Sequence, residues 1–147
     1  MIEFKDIDRH NFFDVINLRV ADEQQSFVAP NVFSLAQAKA FSECLCLGIY
    51  HNKLLVGFTM YCIDFEDKEY WIYRLMIDAR YQSKGYGKAA MKKLIERIKQ
   101  DQKHHVIYLS FEPENNQAKS LYEKLGFKPD GRVIDGEIVY SLTYSNK

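Results

Sequence analysis

Apolar and polar residues change their period several times along this chain, and each change marks an element. From Ile2 to Ile7 apolar and charged residues alternate, the rhythm of a strand. Phe12, Val15, Ile16 and Arg19 lie at helical spacing and predict a short helix. Ser34-Leu35-Ala36-Gln37 has the form of a capping box and predicts a second helix, running to about Glu43. Cys44 to Tyr50 and Leu54 to Phe65 read as strands of an antiparallel hairpin turned by His51-Asn52-Lys53. Tyr70 to Asp78 is a further strand. Gly87, Ala90, Met91, Leu94, Ile95 and Ile98 then mark one face of a strong amphipathic helix. Val106 to Phe111 is nearly all apolar, as in a buried strand with a parallel neighbour. Ala118, Leu121 and Leu125 define another helix, closed by Gly126. Arg132 to Ile134, the turn Asp135-Gly136, and Glu137 to Tyr144 predict a last hairpin. This order calls for an α/β domain around a mixed central sheet.

Length and composition narrow the class. At 147 residues, 47% of them hydrophobic and 27% charged, the chain reads as one domain over residues 1–147 with a sizeable core. Lys plus Arg and Asp plus Glu both number 20, so no overall field draws the protein to nucleic acid or to a membrane. No stretch is long and apolar enough for a membrane span, and the N-terminus does not look like a secretory signal. Cys44, Cys46 and Cys62 form an odd set without a Cys-x-x-Cys pair, which points to reduced thiols and a cytoplasmic setting. His104 and His105 lack a third ligand at suitable spacing, so no metal site is expected.

The chemistry concentrates in Gln82-Ser83-Lys84-Gly85-Tyr86-Gly87-Lys88, between a strand and the strongest helix. Glycines allow positive φ and close approach, and a helix N-terminus offers free N–H groups to a phosphate. A nucleotide-binding P-loop would need Gly at Gln82 and Ser or Thr at Ala89. Gly85-x-Gly87-x-x-Ala90 fits the loose dinucleotide pattern, but antiparallel strands precede it and Ala79 to Gln82 intervene after the strand. The third match is Gln82-x-x-Gly85-x-Gly87 after an apolar strand. Together with Asn115-x-x-Ala118-x-x-Leu121-Tyr122-Glu123-Lys124-x-Gly126-Phe127 downstream, it resembles the GNAT N-acetyltransferase superfamily.

That resemblance implies an α/β (α+β) fold, a mixed central sheet of about six to seven strands flanked by about four helices. It implies acetyl-CoA as cofactor. The pantetheine arm would lie along the strand ending in Leu75, Met76 and Ile77, and the pyrophosphate on the amides of Gln82, Ser83, Lys84, Gly85, Tyr86, Gly87 and Lys88. The backbone near Ile77 would polarise the thioester carbonyl. Asn115 would help hold the cofactor, and Tyr122, one helical face away by about 10.5 Å, would act as general acid.

Charge is uneven along the chain. Arg80 to His105 is strongly basic and Met1 to Tyr70 acidic, which suits an anionic cofactor on one side and a cationic acceptor on the other. Within the superfamily the chain is most similar to the bacterial diamine (spermine/spermidine) acetyltransferases, through Glu23-Gln24-Gln25-x-Phe27-Val28-x-x-Asn31 and Met76-Ile77-Asp78. Glu23 is the first candidate for the amine-steering carboxylate, and Asp64, Glu66, Asp67 and Glu69 are the second. Phe27 and Tyr73 would also face the acceptor. Where vertebrate-type polyamine enzymes carry an acidic pair, this chain has Tyr73 and Arg74. The expected partner is a small-molecule amine, and an aromatic content of 14% leaves room for a homodimer. Two other readings stand: a non-catalytic CoA-binding regulatory module, and a dinucleotide-dependent oxidoreductase with Glu112 as its ribose-binding acid.

Overall fold

The computed structural model describes residues 1–145. Seven strands form one mixed sheet: β1 (Ile2–Asp6), β2 (Leu45–His51), β3 (Leu54–Ile63), β4 (Tyr70–Ile77), β5 (Val106–Phe111), β6 (Lys128–Ile134) and β7 (Glu137–Thr143). Their spatial order is β1-β2-β3-β4-β5-β7-β6, with β4 and β5 parallel and the other neighbours antiparallel. Helices α1 (Phe12–Ile16) and α2 (Asn31–Ala40) cover one face, packing with Phe58, Met60 and Cys62. Helices α3 (Tyr86–Lys99) and α4 (Asn116–Lys124) cover the other. On α3, Ala90, Met91, Leu94, Ile95 and Ile98 are buried, the face its periodicity marks. Each of the large ones contributes about 1.5–3 kcal/mol of transfer free energy.

Two predicted boundaries move. Helix α2 begins at Asn31, not at Ser34, because Pro30 supplies the carbonyl for the Phe33 and Ser34 amides and has a φ suited to helix entry. Ser34 therefore lies inside the helix with a buried hydroxyl that makes no hydrogen bond, and the helix stops at Ala40 rather than near Glu43. The first helix is five residues long, ending at Ile16 instead of Arg19. Both hairpin turns form where the sequence puts them: Asn52 and Lys53, and Asp135 and Gly136, all have positive φ.

The sheet contains one discontinuity that matters. Arg74 lies opposite Met60 and Ile72 opposite Tyr61, so Tyr73 is an extra residue on β4, a bulge. The parallel register with β5 runs from Tyr70/Ile107 to Ile72/Leu109, and among the described residues no pair follows it. Beyond the bulge β4 and β5 part, leaving the β5-side edge of residues 73–77 without a strand partner.

Candidate active site

The gap between the parted strands is a cleft. Leu75, Met76 and Ile77 wall it on one side, and Leu109, Ser110 and Phe111 on the other. Of the turn before α3, Gln82, Ser83, Gly85, Tyr86, Gly87 and Lys88 reach the cleft, and so do Asn115 and Tyr122 from the α4 side. Phe27 and Tyr73 line the cleft as well. Three predicted residues do not reach it. Lys84 is exposed in the turn before α3, Glu23 is exposed on the 3-10 turn Asp22–Gln24, and Glu69, half-buried just before β4, lies outside the cleft wall. Lys84 and Glu23 each sit one residue from a cleft residue, Ser83 and Gly85 for the one and Gln24 for the other, whereas both chain neighbours of Glu69 lie outside the cleft.

The turn is built for close approach. Ser83 and Gly85 both have positive φ, and Gly85 occupies the N-cap of α3 without any side-chain cap. The first N–H groups of α3 therefore face the cleft without side-chain partners, carrying the positive end of the helix dipole. A Cβ at Gly85 would meet nothing within 4 Å, and one at Gly87 would sit 3.7 Å from Ile77. At Gly57, opposite Ile77, a Cβ would lie 2.3 Å from the Met76 carbonyl oxygen, so β3 and β4 touch there backbone to backbone. Gln82 braces the arrangement by donating to the Ile77 carbonyl at 2.9 Å and to Gln24 Oε1 at 2.8 Å.

Tyr122 is 9% exposed, between Phe111 and Phe127 at ring distances of 5.7 and 5.9 Å. Burial, and secondarily the charge of Glu137, push its pKa up to about 12, so it holds its proton at any working pH. Asn115 caps α4 by accepting from the Ala118 amide at 3.1 Å. Its assignment to the cofactor thus coexists with a structural duty.

In the cleft wall, the Tyr73 hydroxyl donates to Asp64 at 2.5 Å. Partial burial opposes the Asp64 carboxylate, but bonds from Tyr73 and the Glu66 and Asp67 amides outweigh it and hold its pKa below the usual value. Asp64 is thereby a permanent anion, suited to attracting ammonium and unsuited to removing a proton. Asp67 accepts from the Trp71 indole at 2.7 Å. Glu137, which the sequence did not single out, reaches the cleft from β7 and accepts from Ser110 at 2.7 Å. Its position depends on the β5–β7 pairing, which no local pattern announces. Gln24 and Gln117 were likewise missed as a pair. The thiols are not reactive groups: burial raises Cys46 to about 11 and Cys62 to about 12.

A single parallel pair in an otherwise antiparallel sheet excludes the dinucleotide-binding fold, which needs an extended parallel sheet, so Glu112 has no ribose to hold. Residues 8–127 match the model of the acetyltransferase (GNAT) family. The chain belongs to that family. It is 33% identical over 145 residues to spermine/spermidine N(1)-acetyltransferase of Bacillus subtilis, covering 94% of this chain and 95% of that one. Among solved structures it shares its fold with spermidine N-acetyltransferase from Vibrio cholerae in complex with CoA and spermine (TM-score 0.76, 17% identity, 97% and 95% covered). An N-acetyltransferase from Thermoplasma acidophilum in complex with coenzyme A is similar (TM-score 0.72, 17% identity, 98% and 99% covered). As a GNAT enzyme the protein uses acetyl-CoA to acetylate an amine. The open edge of residues 75–77 and the uncapped start of α3 fit that cofactor: hydrogen-bonding backbone for an amide-bearing arm, and free N–H groups for a diphosphate.

Proposed function

We propose that the protein acetylates a primary amine of a polyamine such as spermidine or spermine. The observation that carries this is the parting of β4 from β5 after Ile72, with the α3 N-terminus at one end and acidic side chains at the other. The likeness to a spermine/spermidine acetyltransferase supports the same acceptor.

Acetyl-CoA, when bound, supplies the activated acetyl thioester. Residues 75–77 orient it as an added strand, and the amides of Gln82 to Lys88, helped by the Lys88 charge, hold the diphosphate. The backbone at Ile77 polarises the thioester carbonyl. Tyr122 keeps a proton ready for the departing sulfur: its raised pKa makes it a donor that acts only as negative charge arrives beside it. Asp64, Glu66, Asp67 and Glu137 gather the ammonium groups of the acceptor, and Phe27 packs on its methylenes. The three free cysteines suit a reducing cytoplasm. Exposed Phe13, Val32, Phe33 and Phe41 offer an apolar surface for a homodimer, which sedimentation would detect.

An acetyl-transfer screen over small amines tests the reading. Spermidine and spermine should release CoA fastest, while no release with any amine would leave a CoA-binding regulatory module as the better account.

A further inference from the structure

We propose that the Arg74 guanidinium holds the attacking amine of the acceptor neutral, doing by charge repulsion what a general base would otherwise do. The inference rests on the acetyltransferase reading and assigns a role to a residue that reading leaves idle. The β4 bulge turns Tyr73 and Arg74 toward the same face: Tyr73 packs in the α1/α2 layer, and Arg74 Nη2 donates to Gln37 Oε1 of α2 at 3.0 Å. Arg74 lines the cleft immediately before the Leu75–Ile77 edge. Its Nη1 donates to the Tyr73 carbonyl at 3.0 Å, and its Nε is buried without a partner.

Among the described residues no carboxylate lies within ion-pair distance of this guanidinium. The groups that act on it most are Glu137 on β7, the thiols of Cys44 and Cys46 and the Tyr73 hydroxyl, with the Gln37 amide in hydrogen-bond contact, and Glu137 is the carboxylate among them. Burial pushes the Arg74 pKa down, yet a guanidinium stays charged in protein. It is a cation without an ion-pair partner at the reacting end of a cleft whose far end carries Asp64, Glu66 and Asp67, with Glu137 acting on it from β7.

A polyamine entering this field is sorted. Its distal ammonium groups go to the carboxylates, and its leading amine meets a like charge that favours the neutral form. An alkylamine is neutral to about one part in 2,500 at pH 7, and each unit by which a cation lowers its pKa raises that fraction about tenfold. One proton passes to water before attack. The N–C bond then forms as C–S breaks, nitrogen gives its second proton to water, and Tyr122 supplies one to sulfur and regains one from water.

The test compares kcat/KM across pH for wild type, Arg74→Met and Arg74→Lys with two acceptors. One is butane-1,4-diamine; the other is the same diamine difluorinated beside one amine, which leaves that amine largely neutral at pH 7. With the ordinary diamine, Arg74→Met should lose about tenfold at pH 7 and shift the rising limb up by about one unit, with Arg74→Lys close to wild type. With the fluorinated diamine, Arg74→Met should match wild type. Equal losses on both acceptors, or an unshifted limb, would overturn the role. So would a preference for amino acids that collapses in Arg74→Met, since the guanidinium would then bind an anion. If wild type acetylates no amine, the acetyltransferase reading itself fails, and the inference with it.

Discussion

Gln24 Nε2 donates to Gln117 Oε1 at 2.8 Å, joining residues 93 apart in the chain across the cleft. Gln24 also accepts from Gln82, so three glutamines tie the 22–30 turn, the turn before α3 and α4 together. The link is exposed and should add less than about 1 kcal/mol to stability. Gln117→Ala should therefore leave the melting temperature almost unchanged while loosening the turn. Hydrogen exchange reads this directly: the Gln24, Gln25 and Phe27 amides, which bond within that turn, should exchange faster. Unchanged exchange would mean the turn holds itself.

Tyr122→Phe should lower turnover about a hundredfold, the scale of a lost general acid, and leave acetyl-CoA affinity nearly intact. Because the phenol titrates at about 12, wild-type activity should show no falling limb from this group below about pH 10. Stopped-flow release of CoA over pH 6 to 10 would check both statements.

Asp78 is 4% exposed and accepts from the Arg19 and Arg80 amides and the Arg80 side chain, fastening the end of β4 to the segment after α1. Burial opposes its charge, but those bonds outweigh it and depress its pKa below 3.8. The carboxylate's contribution is thus full at neutral pH and is lost as pH falls below about 4 through the depressed value. Asp78→Asn should cost about 2 kcal/mol at pH 7 by urea unfolding, and the gap to wild type should narrow in acid.

Gly57→Ala should destabilise by about 1–3 kcal/mol or more, because its new methyl meets the Met76 carbonyl oxygen and neither backbone can yield freely. The same displacement moves Ile77, so turnover should fall beyond what the stability loss explains. Calorimetric melting paired with kcat at a temperature where both proteins are folded separates the effects.

These contacts also show what a linear reading can hold. The wall formed by residues 75–88 is legible because it is local: a strand end, a turn with two glycines and a helix start follow one another there. Tyr122 is legible through a helical motif. The acceptor side is assembled from the 22–30 turn, the β3–β4 hairpin and β7, so which carboxylates arrive there depends on bulges and pairings. Glu23 and Glu69 have the right charge and the wrong facing, whereas Glu137 enters through its pairing with β5. Arg74 stood out in the sequence as a departure, but its facing follows from the extra residue at Tyr73.

The proposed grip of the α3 N-terminus on the cofactor diphosphate underlies everything else, and amide NMR tests it without relying on turnover. Titrating nitrogen-15-labelled protein with CoA should move the Gly85, Tyr86, Gly87 and Lys88 amide resonances most, with smaller shifts along residues 75–77. Saturation that leaves the four turn amides in place would contradict the account.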